Sequence, residues 1–305
     1  MPEDSMLPVL IDTDPGVDDA LALLQAWGTP SLVVEVVTTV AGNVPVAAGT
    51  LNVFRLLALR DPQPAPIVAE GAARPLVRAL RTATDYHGAD GLGGLGDWPA
   101  AQPRLAAESA VALMLAAARR HRGRLTLVAL GPLTNVASAL AADPEAMRGI
   151  WRVVAMGGAV DVPGNVTPDA EFNIPVDPEA AAAVVAAGLT LDLVPLDATR
   201  QALLEQSALH AALAGAPPRV AERIARFTAP SFGAGGTRPM TLHDPLAVGL
   251  AADPSLTTWE PVRLEIGPDG QTRRAAGAPN VRIPRIVDAP RFLATFLDSL
   301  CRASS

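Results

Sequence analysis

The sequence contains no lysine, one cysteine and one tyrosine, and aromatic residues make up only 4% of its 305 residues. All 24 basic side chains are therefore arginines, against 31 acidic residues, and the formal net charge is -7. This balance argues against a nucleic acid or an anionic membrane surface as a partner. The lone cysteine, Cys301, excludes a disulfide within the chain.

Long apolar runs and a targeting segment are also lacking. The longest apolar segment, Ala180 to Leu191, is too short to span a bilayer. The N-terminus carries Glu3 and Asp4 where a signal peptide has a basic region followed by an apolar one, so we expect no signal peptide. These features predict a soluble, cytoplasmic protein without a membrane partner.

Half of the residues are hydrophobic, which is enough for a large core. Apolar, β-branched runs alternate with helical segments along the chain. This order predicts an α/β fold with an open, mostly parallel, Rossmann-like sheet and helices on both faces. In such a sheet the active site lies at the C-terminal ends of the strands. No linker, repeat or change of composition divides the chain, so we expect residues 1–305 to form a single domain.

The predicted elements follow from hydrophobic periodicity and from glycine and proline. Predicted strands cover Val9 to Ile11, Leu32 to Val40, Ile67 to Ala69, Leu125 to Leu130, Arg152 to Met156, Leu189 to Leu196, Thr257 to Ile266 and Asn280 to Ile286, the last two as a hairpin across Pro268 to Gly270. Predicted helices cover Ala20 to Trp27, Val46 to Leu59, Ala106 to Arg120, Leu133 to Ala141, Pro178 to Ala187, Ala198 to Ala214, Arg219 to Thr228, a segment from about Asp244, and Arg291 to Leu300.

The most informative stretch follows the first predicted strand, which we expect to stop at Asp12. Four carboxylates, on Asp12, Asp14, Asp18 and Asp19, surround a Pro-Gly turn with no arginine nearby. Capping of the following helix would explain one or two of them. Four such groups in one turn favour a bound cation, and closely spaced oxygen ligands suit Ca²⁺ or Mg²⁺ rather than zinc.

A second polar loop, Gly164 to Ala181, follows another predicted strand. Its amides and carboxylate, on Asn165, Glu171 and Asn173, are groups that bind the hydroxyls of a polyol. Glu171 and Asn173 would point the same way if the segment is extended. Considered alone, the loop has the composition of an ordinary surface loop.

Two histidines stand out, and one of them, His87, is a candidate proton donor. His87 lies in the irregular, glycine-rich segment Arg81 to Gln102, whose length indicates either a functional lid or disorder. His243 precedes Asp244, which in isolation would be interpreted as a helix N-cap. The glycines of the segment Arg81 to Gln102 match the spacing of a dinucleotide-binding motif. No strand precedes them and no helix follows, so we interpret them as a flexible loop.

Five blocks of sequence together resemble the inosine-uridine preferring nucleoside hydrolases, and the resemblance runs nearly end to end. These blocks are DTDPGVDDA (residues 12–20), TTVAGN (38–43), ALGPLTN (129–135), GNVTPDAEFN (164–173) and LHDPLAV (242–248). The resemblance implies Ca²⁺-dependent hydrolysis of the N-glycosidic bond of ribonucleosides through an oxocarbenium-like transition state. It also implies a small-molecule substrate.

The resemblance assigns roles to individual residues. It implies Ca²⁺ ligands at Asp14, Asp19, the Leu130 carbonyl and Asp244, with Asp14 also the general base for the metal-bound water. The ribose would be bound by Asp18, Asn43, Asn165, Glu171 and Asn173, in a pocket lined by Met156 and Phe172. His87 and His243 match histidines on the nucleobase side, where His243 is implicated in protonating the leaving group.

Two alternative functions remain. A metal-dependent phosphatase also begins with two aspartates after a first strand, although no lysine is available for a phosphate. A non-catalytic ribose- or Ca²⁺-binding module is the other. We expect a homodimer or homotetramer.

Overall fold

The computed structural model describes residues 6–99 and 101–302. Glu3 and Asp4, on which the expectation about a signal peptide depends, lie outside this range, as does Ala100 of the predicted lid segment. In the described part of the chain, the strands are β1 (Leu7–Thr13), β2 (Leu32–Thr39), β3 (Ile67–Glu70), β4 (Thr126–Ala129), β5 (Arg152–Met156), β6 (Leu191–Val194), β7 (Leu203–Leu204), β8 (Met240–Thr241), β9 (Thr257–Val262), β10 (Leu264–Ile266), β11 (Thr272–Arg274) and β12 (Val281–Val287).

The helices of the same residues range from one turn to four turns. They are α1 (Val17–Gly28), α2 (Val46–Arg60), α3 (Thr84–His87), α4 (Ala110–Arg120), α5 (Thr134–Ala142), α6 (Pro144–Arg148), α7 (Asn173–Val176), α8 (Pro178–Ala186), α9 (Leu196–Thr199), α10 (Gln206–Leu213), α11 (Pro218–Thr228), α12 (His243–Ala252) and α13 (Ala289–Cys301). No described helix is both long enough and apolar enough to cross a membrane.

The main sheet of the described chain has eight strands in the order β3-β2-β1-β4-β5-β6-β12-β9. All neighbours pair in parallel except β12 and β9, which are antiparallel. The predicted α/β architecture with a mostly parallel sheet is confirmed. From β1 the chain moves outward to β2 and β3, and from β4 it moves the other way to β5 and β6. The order therefore reverses between β1 and β4, and open α/β sheets bind ligands in the crevice at such a point.

Helices cover both faces of the sheet. Successive side chains of a strand point to opposite faces, and in these strands both sets of side chains are apolar. In β1, Val9 and Ile11 join the hydrophobic cluster that includes α1, α2, α12 and α13. Leu10 points the other way, into the cluster formed with α4, α5 and α8. All three side chains are fully buried. A strand buried on both faces is a near-continuous apolar run, which is why β1 is evident in the sequence.

The predicted end of the first strand is wrong. The strand continues through Asp12 and Thr13, which pair with Thr38 and Thr39 on β2. Asp12 remains in the strand although it is buried, because Thr38 Oγ1 and Asn135 Nδ2 donate to its Oδ1 at 2.6 and 2.8 Å. These two donors satisfy Oδ1, whereas Oδ2 has no partner among the described residues, and burial raises the pKa of Asp12 to about 7.

The predicted helix from Ala198 to Ala214 is also wrong. The chain forms α9, then β7, and only then α10, because Leu203 pairs with Thr241 on β8. The turn Pro268 to Gly270 does close a hairpin, but between the short strands β10 and β11. In the predicted lid segment, residues 84–87 form the helix α3, so this part is not irregular.

Candidate active site

The acidic turn joins β1 to α1 at the carboxyl edge of the sheet. Asp19, in the first turn of α1, accepts hydrogen bonds from Thr13 Oγ1 at 2.5 Å and from the Gly16 amide at 2.9 Å. The Asn43 side-chain amide donates to Asp19 at 3.0 Å, and the Asp14 amide at 3.3 Å. Asp19 therefore serves as the capping acid of the helix and also fixes the geometry of the turn.

The Asp14 carboxylate is fully buried, and one of its oxygens is without a partner in the described structure. Oδ2 accepts from the Asn43 amide at 2.7 Å, whereas Oδ1 has no hydrogen bond. Glycines enclose it: a Cβ on Gly42 would lie 2.0 Å from Oδ2, and one on Gly131 would lie 2.4 Å from Oδ1. Burial raises the Asp14 pKa well above its usual value, and the nearby charge of Asp19 raises it further.

A third acidic group, Asp244, reaches the turn from the start of α12. Carboxylate oxygens of Asp18, Asp19 and Asp244 lie within 4.8 Å of one another. Asp14 is not one of this trio, but its charge contributes to raising the pKa of Asp244. Burial raises the pKa of Asp244 well above its usual value and that of Asp18 to about 7, and the neighbouring carboxylates add to both shifts. Within the described chain, no arginine pairs with any of these four acids.

The acidic group has the chemistry of a cation site. Buried carboxylates without a positive partner repel one another, and a divalent cation removes both that repulsion and the orphaned acceptor on Asp14. All the donors are oxygens, which suits a hard cation. Of the predicted ligands, Asp19 and Asp244 belong to the trio of close carboxylates, whose third member is Asp18, and Asp14 is not part of it. The Leu130 carbonyl borders the adjoining pocket, where the Asn173 amide donates to it at 2.7 Å.

A pocket of about 310 Å³ opens directly above the acids. All seven predicted substrate-binding residues line this pocket, together with both candidate histidines, Leu130 and Asp244. The complete lining is Asp18, Asn43, Ala83, Tyr86, His87, Leu130, Met156, Asn165, Val166, Glu171, Phe172, Asn173, His243 and Asp244. Seven separate stretches of sequence therefore converge on one cavity, which has the size of a small-molecule site.

One wall of the pocket is polar. Glu171 accepts from the Gly158 amide at 2.8 Å and from the Asn173 amide at 3.0 Å, and burial raises its pKa to about 7. Asn165 Oδ1 accepts from the Phe172 amide at 3.0 Å. The condition that the segment be extended is not met, because Asn173 begins α7. Its side chain nevertheless enters the pocket, where it also donates to the Met156 carbonyl at 3.2 Å.

Both candidate histidines are held at Nδ1. The Val17 amide, at the start of α1, donates to His87 Nδ1 at 3.0 Å, so His87 is packed against the acidic turn and is not a surface residue. His243 Nδ1 lies 2.8 Å from the Thr199 hydroxyl. Burial lowers the pKa of each imidazole to about 4. The Tyr86 ring meets the His87 ring edge-on, with centroids 4.9 Å apart.

The chain as a whole is similar to known proteins. The family model described as "Inosine-uridine preferring nucleoside hydrolase" matches residues 9–294. The chain belongs to this family. The non-specific ribonucleoside hydrolase RihC of Klebsiella pneumoniae is 38% identical over 266 residues, which is 87% of this chain and 85% of the relative. The hydrolase is therefore an N-glycosidase that acts on ribonucleosides.

Solved structures agree with this assignment of the hydrolase. A purine-preferring ribonucleoside hydrolase from Gardnerella vaginalis superposes with a TM-score of 0.90 at 29% identity, covering 96% of this chain and 98% of that one. A plant nucleoside hydrolase, PpNRh1, gives a TM-score of 0.89 at 31% identity, covering 97% and 99%.

Some residues at the site of the hydrolase were not found from its sequence. Ala83 and Val166 line the pocket but carry no distinguishing chemistry. Tyr86 could have been proposed, because it is the only tyrosine and adjoins His87. Thr199 gave no indication at all, since the sequence predicted a continuous helix from Ala198. Only the packing of α9 against α12 brings its hydroxyl to His243.

Proposed function

We propose that the hydrolase uses Ca²⁺ to cleave purine and pyrimidine ribonucleosides into ribose and the free nucleobase. One observation carries this proposal: a group of buried carboxylates without cationic partners adjoins a wall of amides and a carboxylate in one pocket. The first feature suits a divalent cation, and the second suits sugar hydroxyls. The name of the Klebsiella relative, a non-specific hydrolase, supports the broad range of bases.

The proposed cation ligands are Asp14, Asp19, Asp244 and the Leu130 carbonyl. Because a carbonyl oxygen has two lone pairs, that of Leu130 can accept the Asn173 amide and still face a cation. When bound, the Ca²⁺ would orient a water molecule and the sugar hydroxyls and lower the pKa of that water.

Asp14 is the proposed general base. Its Oδ1 is buried and accepts no hydrogen bond from any described residue. Because this oxygen has two lone pairs, one could face the cation while the other takes the proton of the attacking water. The Asn43 amide on Oδ2 holds the carboxylate plane in place at 2.7 Å. Removal of that proton makes the water nucleophilic at the anomeric carbon.

The ribose would lie between the acidic turn and the polar wall. We propose that Asp18, Asn43, Asn165, Glu171 and Asn173 bind its hydroxyls, while Met156 and Phe172 line the pocket. As the glycosidic bond breaks, positive charge develops on the sugar ring. The carboxylates around it are already in position, so they stabilise this charge without reorganisation.

The departing nucleobase needs a proton, because it would otherwise leave as a costly anion. His243 is the proposed donor and His87 the second candidate, since both imidazoles border the pocket. A positioned acid of this kind is worth about 10²–10⁴-fold in rate.

The decisive experiment compares a chromogenic riboside with a chromogenic phosphate, with Ca²⁺ present. Hydrolysis of the riboside alone is the expected result. Hydrolysis of the phosphate alone would indicate the metal-dependent phosphatase, and binding of ribose without turnover would indicate the non-catalytic module.

Ribonucleosides should be strongly preferred over 2′-deoxyribonucleosides. A site built to pair a sugar hydroxyl with buried carboxylates leaves those groups unpaired when the hydroxyl is missing, which costs about 10⁴-fold or more. The ratio of kcat/KM for uridine and deoxyuridine measures this preference. Comparable values would contradict the proposed ribose contacts.

We further propose that residues 1–305 form one domain, which the continuous eight-stranded sheet of the described residues supports. Cooperative unfolding in a single calorimetric transition is the expected result. The homodimer or homotetramer remains a prediction, and light scattering in solution checks it.

A further inference from the structure

We propose that Thr199 is a positioning residue for His243. Its hydroxyl donates a hydrogen bond to Nδ1 and so holds the imidazole with its Nε2–H facing the leaving nucleobase. The proposal rests on the proposed function, and it adds a residue that acts on the reaction only through His243.

The geometry is set by the backbone on both sides. Thr199 ends α9, directly after β6, and its side chain is fully buried with Oγ1 2.8 Å from His243 Nδ1. The Ala202 amide donates to the Thr199 carbonyl at 3.0 Å, and the Leu242 amide donates to the Ala202 carbonyl at 2.9 Å. Two hydrogen-bonded steps thus join the threonine to the residue preceding His243, so the backbone positions from which the two side chains extend are tied together.

The direction of the hydrogen bond follows from the needs of the buried hydroxyl. Across residues 6–99 and 101–302, Thr199 Oγ1 makes only this one hydrogen bond. If the imidazole donated, the threonine proton would be buried without an acceptor, at a cost that folded proteins avoid. If the hydroxyl donates, both atoms are satisfied. The neutral imidazole then carries its proton on Nε2 and assists the departing base as a hydrogen-bond donor. To give up a proton outright, the ring must first be protonated at Nδ1 as well, and the hydroxyl then accepts from Nδ1–H.

His87 provides an independent parallel within the same pocket. Its Nδ1 accepts from the Val17 backbone amide, which can only donate, so the neutral ring carries its proton on Nε2. Both histidines therefore offer the pocket the same type of donor. They differ in what holds them: a backbone amide survives any side-chain substitution, whereas the Thr199 hydroxyl can be removed by mutation.

The position of His243 makes this support necessary. Its imidazole is half-buried at the start of α12, and Nε2 has no hydrogen-bond partner among the described residues. Without the bond at Nδ1, the ring could rotate about its side-chain torsions and the proton could move to Nδ1. Either change would take Nε2–H out of hydrogen-bond distance of the departing nucleobase, and both hydrogen bonding to its developing negative charge and proton transfer from the protonated ring require that distance.

The kinetic test uses two substitutions of Thr199 and two substrate types. Thr199→Val keeps the shape and removes the hydroxyl, and Thr199→Ser restores it. On inosine and uridine, Thr199→Val should lose kcat by about tenfold or more, while Thr199→Ser stays within about threefold of the parent. On p-nitrophenyl riboside both should stay within about threefold, because nitrophenolate leaves without a proton.

A matched control isolates the effect of removing a buried hydroxyl. Thr126 is fully buried at the amino end of β4, and its hydroxyl has no partner among the described residues. Thr126→Val should leave kcat on every substrate within about twofold. In the His243→Ala background, Thr199→Val should add no further loss on inosine, because the group that it positions is gone.

A spectroscopic test needs no enzyme activity. The chain has four histidines, so ¹⁵N-histidine labelling with His243→Ala as the assignment control identifies the His243 signals. We expect the Nε2–H tautomer in the parent and in Thr199→Ser, and a mixture of tautomers in Thr199→Val. Because the parent alone reports the direction of the bond, the test holds even if Thr199→Val does not fold.

Several results would overturn the role of Thr199. These are the Nδ1–H tautomer in the parent, equal losses on nucleosides and on the chromogenic riboside, and independent losses from Thr199→Val and His243→Ala. A parent enzyme that cleaves neither nucleosides nor the chromogenic riboside would instead refute the proposed function. The tautomer would still decide the hydrogen bond.

Discussion

Buried acids lie at two opposite edges of the sheet, the amino edge where its parallel strands begin and the carboxyl edge where they end, and the surroundings of these acids differ. At the amino edge, Asp192 in β6 is fully buried and receives both guanidinium donors of Arg282 at 2.8 Å. Arg152 approaches the same carboxylate at 3.5 Å, and it also donates to the carbonyls of Leu250 and Ala251 at the end of α12.

The acids at the carboxyl edge have no such partners. Asp14, Asp18, Asp19 and Asp244 form no ion pair with an arginine in the part of the chain described, and burial together with mutual repulsion raises the pKa of three of them. A buried carboxylate that is paired with a fixed arginine belongs to the structural framework. Acids held together without one are costly unless they receive a ligand, which is how functional sites differ from structural ones.

The helix α12 connects the two edges. It begins at the acidic group with His243 and Asp244, and its last carbonyls accept hydrogen bonds from Arg152. A positive group at a helix C-terminus is favourable because of the helix dipole. The paired edge therefore anchors the helix whose other end supplies the proposed acid and a proposed cation ligand.

The largest difference between the edges should appear in catalysis. Asp14→Asn removes the proposed base without changing side-chain size, so kcat on inosine should fall by about 10³-fold or more at saturating Ca²⁺. The variant should fold, because it relieves repulsion. Asp192→Asn, assayed as correctly folded protein, should keep kcat within about twofold. Turnover of Asp14→Asn within tenfold of the parent would refute the assignment of the base.

The second difference concerns stability. Asp192→Asn leaves Arg152 buried without its counter-charge, so the free energy of unfolding should fall by about 3–5 kcal/mol. Denaturant titration measures the change. The control is Asp161→Asn on the protein surface, where Asp161 is half-exposed between Arg274 and Arg285 and the expected loss is about 1 kcal/mol or less. Equal losses for the two variants would remove the contrast between the edges.

The third prediction concerns the binding of Ca²⁺ to the acids at the carboxyl edge. Ca²⁺ at about 100 times its dissociation constant should stabilise the parent by about 2.7 kcal/mol, because only the folded chain assembles the acids. Thermal unfolding with Ca²⁺ and with chelator measures this effect, and elemental analysis should find the metal in purified protein. Asp244→Asn should weaken the stabilisation, and Asp161→Asn should not. Active protein without metal would contradict the cation site.

The smallest expected effect comes from crowding at the unpaired edge. A Cβ on Gly16 would lie 2.6 Å from His87 Nδ1 and 2.9 Å from the Asn43 amide nitrogen. Gly16→Ala should therefore displace both side chains and lower kcat/KM about tenfold, or about 1.4 kcal/mol. Gly215→Ala is the control, since its Cβ would meet only one atom, at 3.5 Å. An unchanged kcat/KM in Gly16→Ala would show that His87 has room to move.

Much of the fold and part of the site can be predicted from the amino-acid sequence. The apolar strands are buried on both faces, so their hydrophobic runs are continuous, and the parallel sheet followed from their alternation with helices. The acidic turn stood out because four acids around Pro15-Gly16 cannot be explained by capping alone. The family blocks then associated distant loops with one activity, and the family membership is confirmed.

Element boundaries were less predictable where polar residues continue an element. Asp12 does not resemble a strand residue, and it stays in β1 only because Thr38 and Asn135, distant in sequence, donate to it. Ala198 to Ala214 has the composition of a helix, yet pairing of β7 with β8 interrupts it. Local propensity cannot anticipate partners supplied from elsewhere in the chain.

The local pattern of residues was sufficient for the sheet, the helices and the acidic turn, because each depends on neighbours a few positions apart. The direction of each side chain's hydrogen bonds required the folded chain. His87 is hydrogen-bonded to an amide 70 positions away, and His243 to a hydroxyl 44 positions away. Likewise, Asp192 is paired and Asp14 is not because of which arginines the sheet brings near each. A carboxylate's partners depend on distances in space, and these exist only after the strands have been ordered side by side.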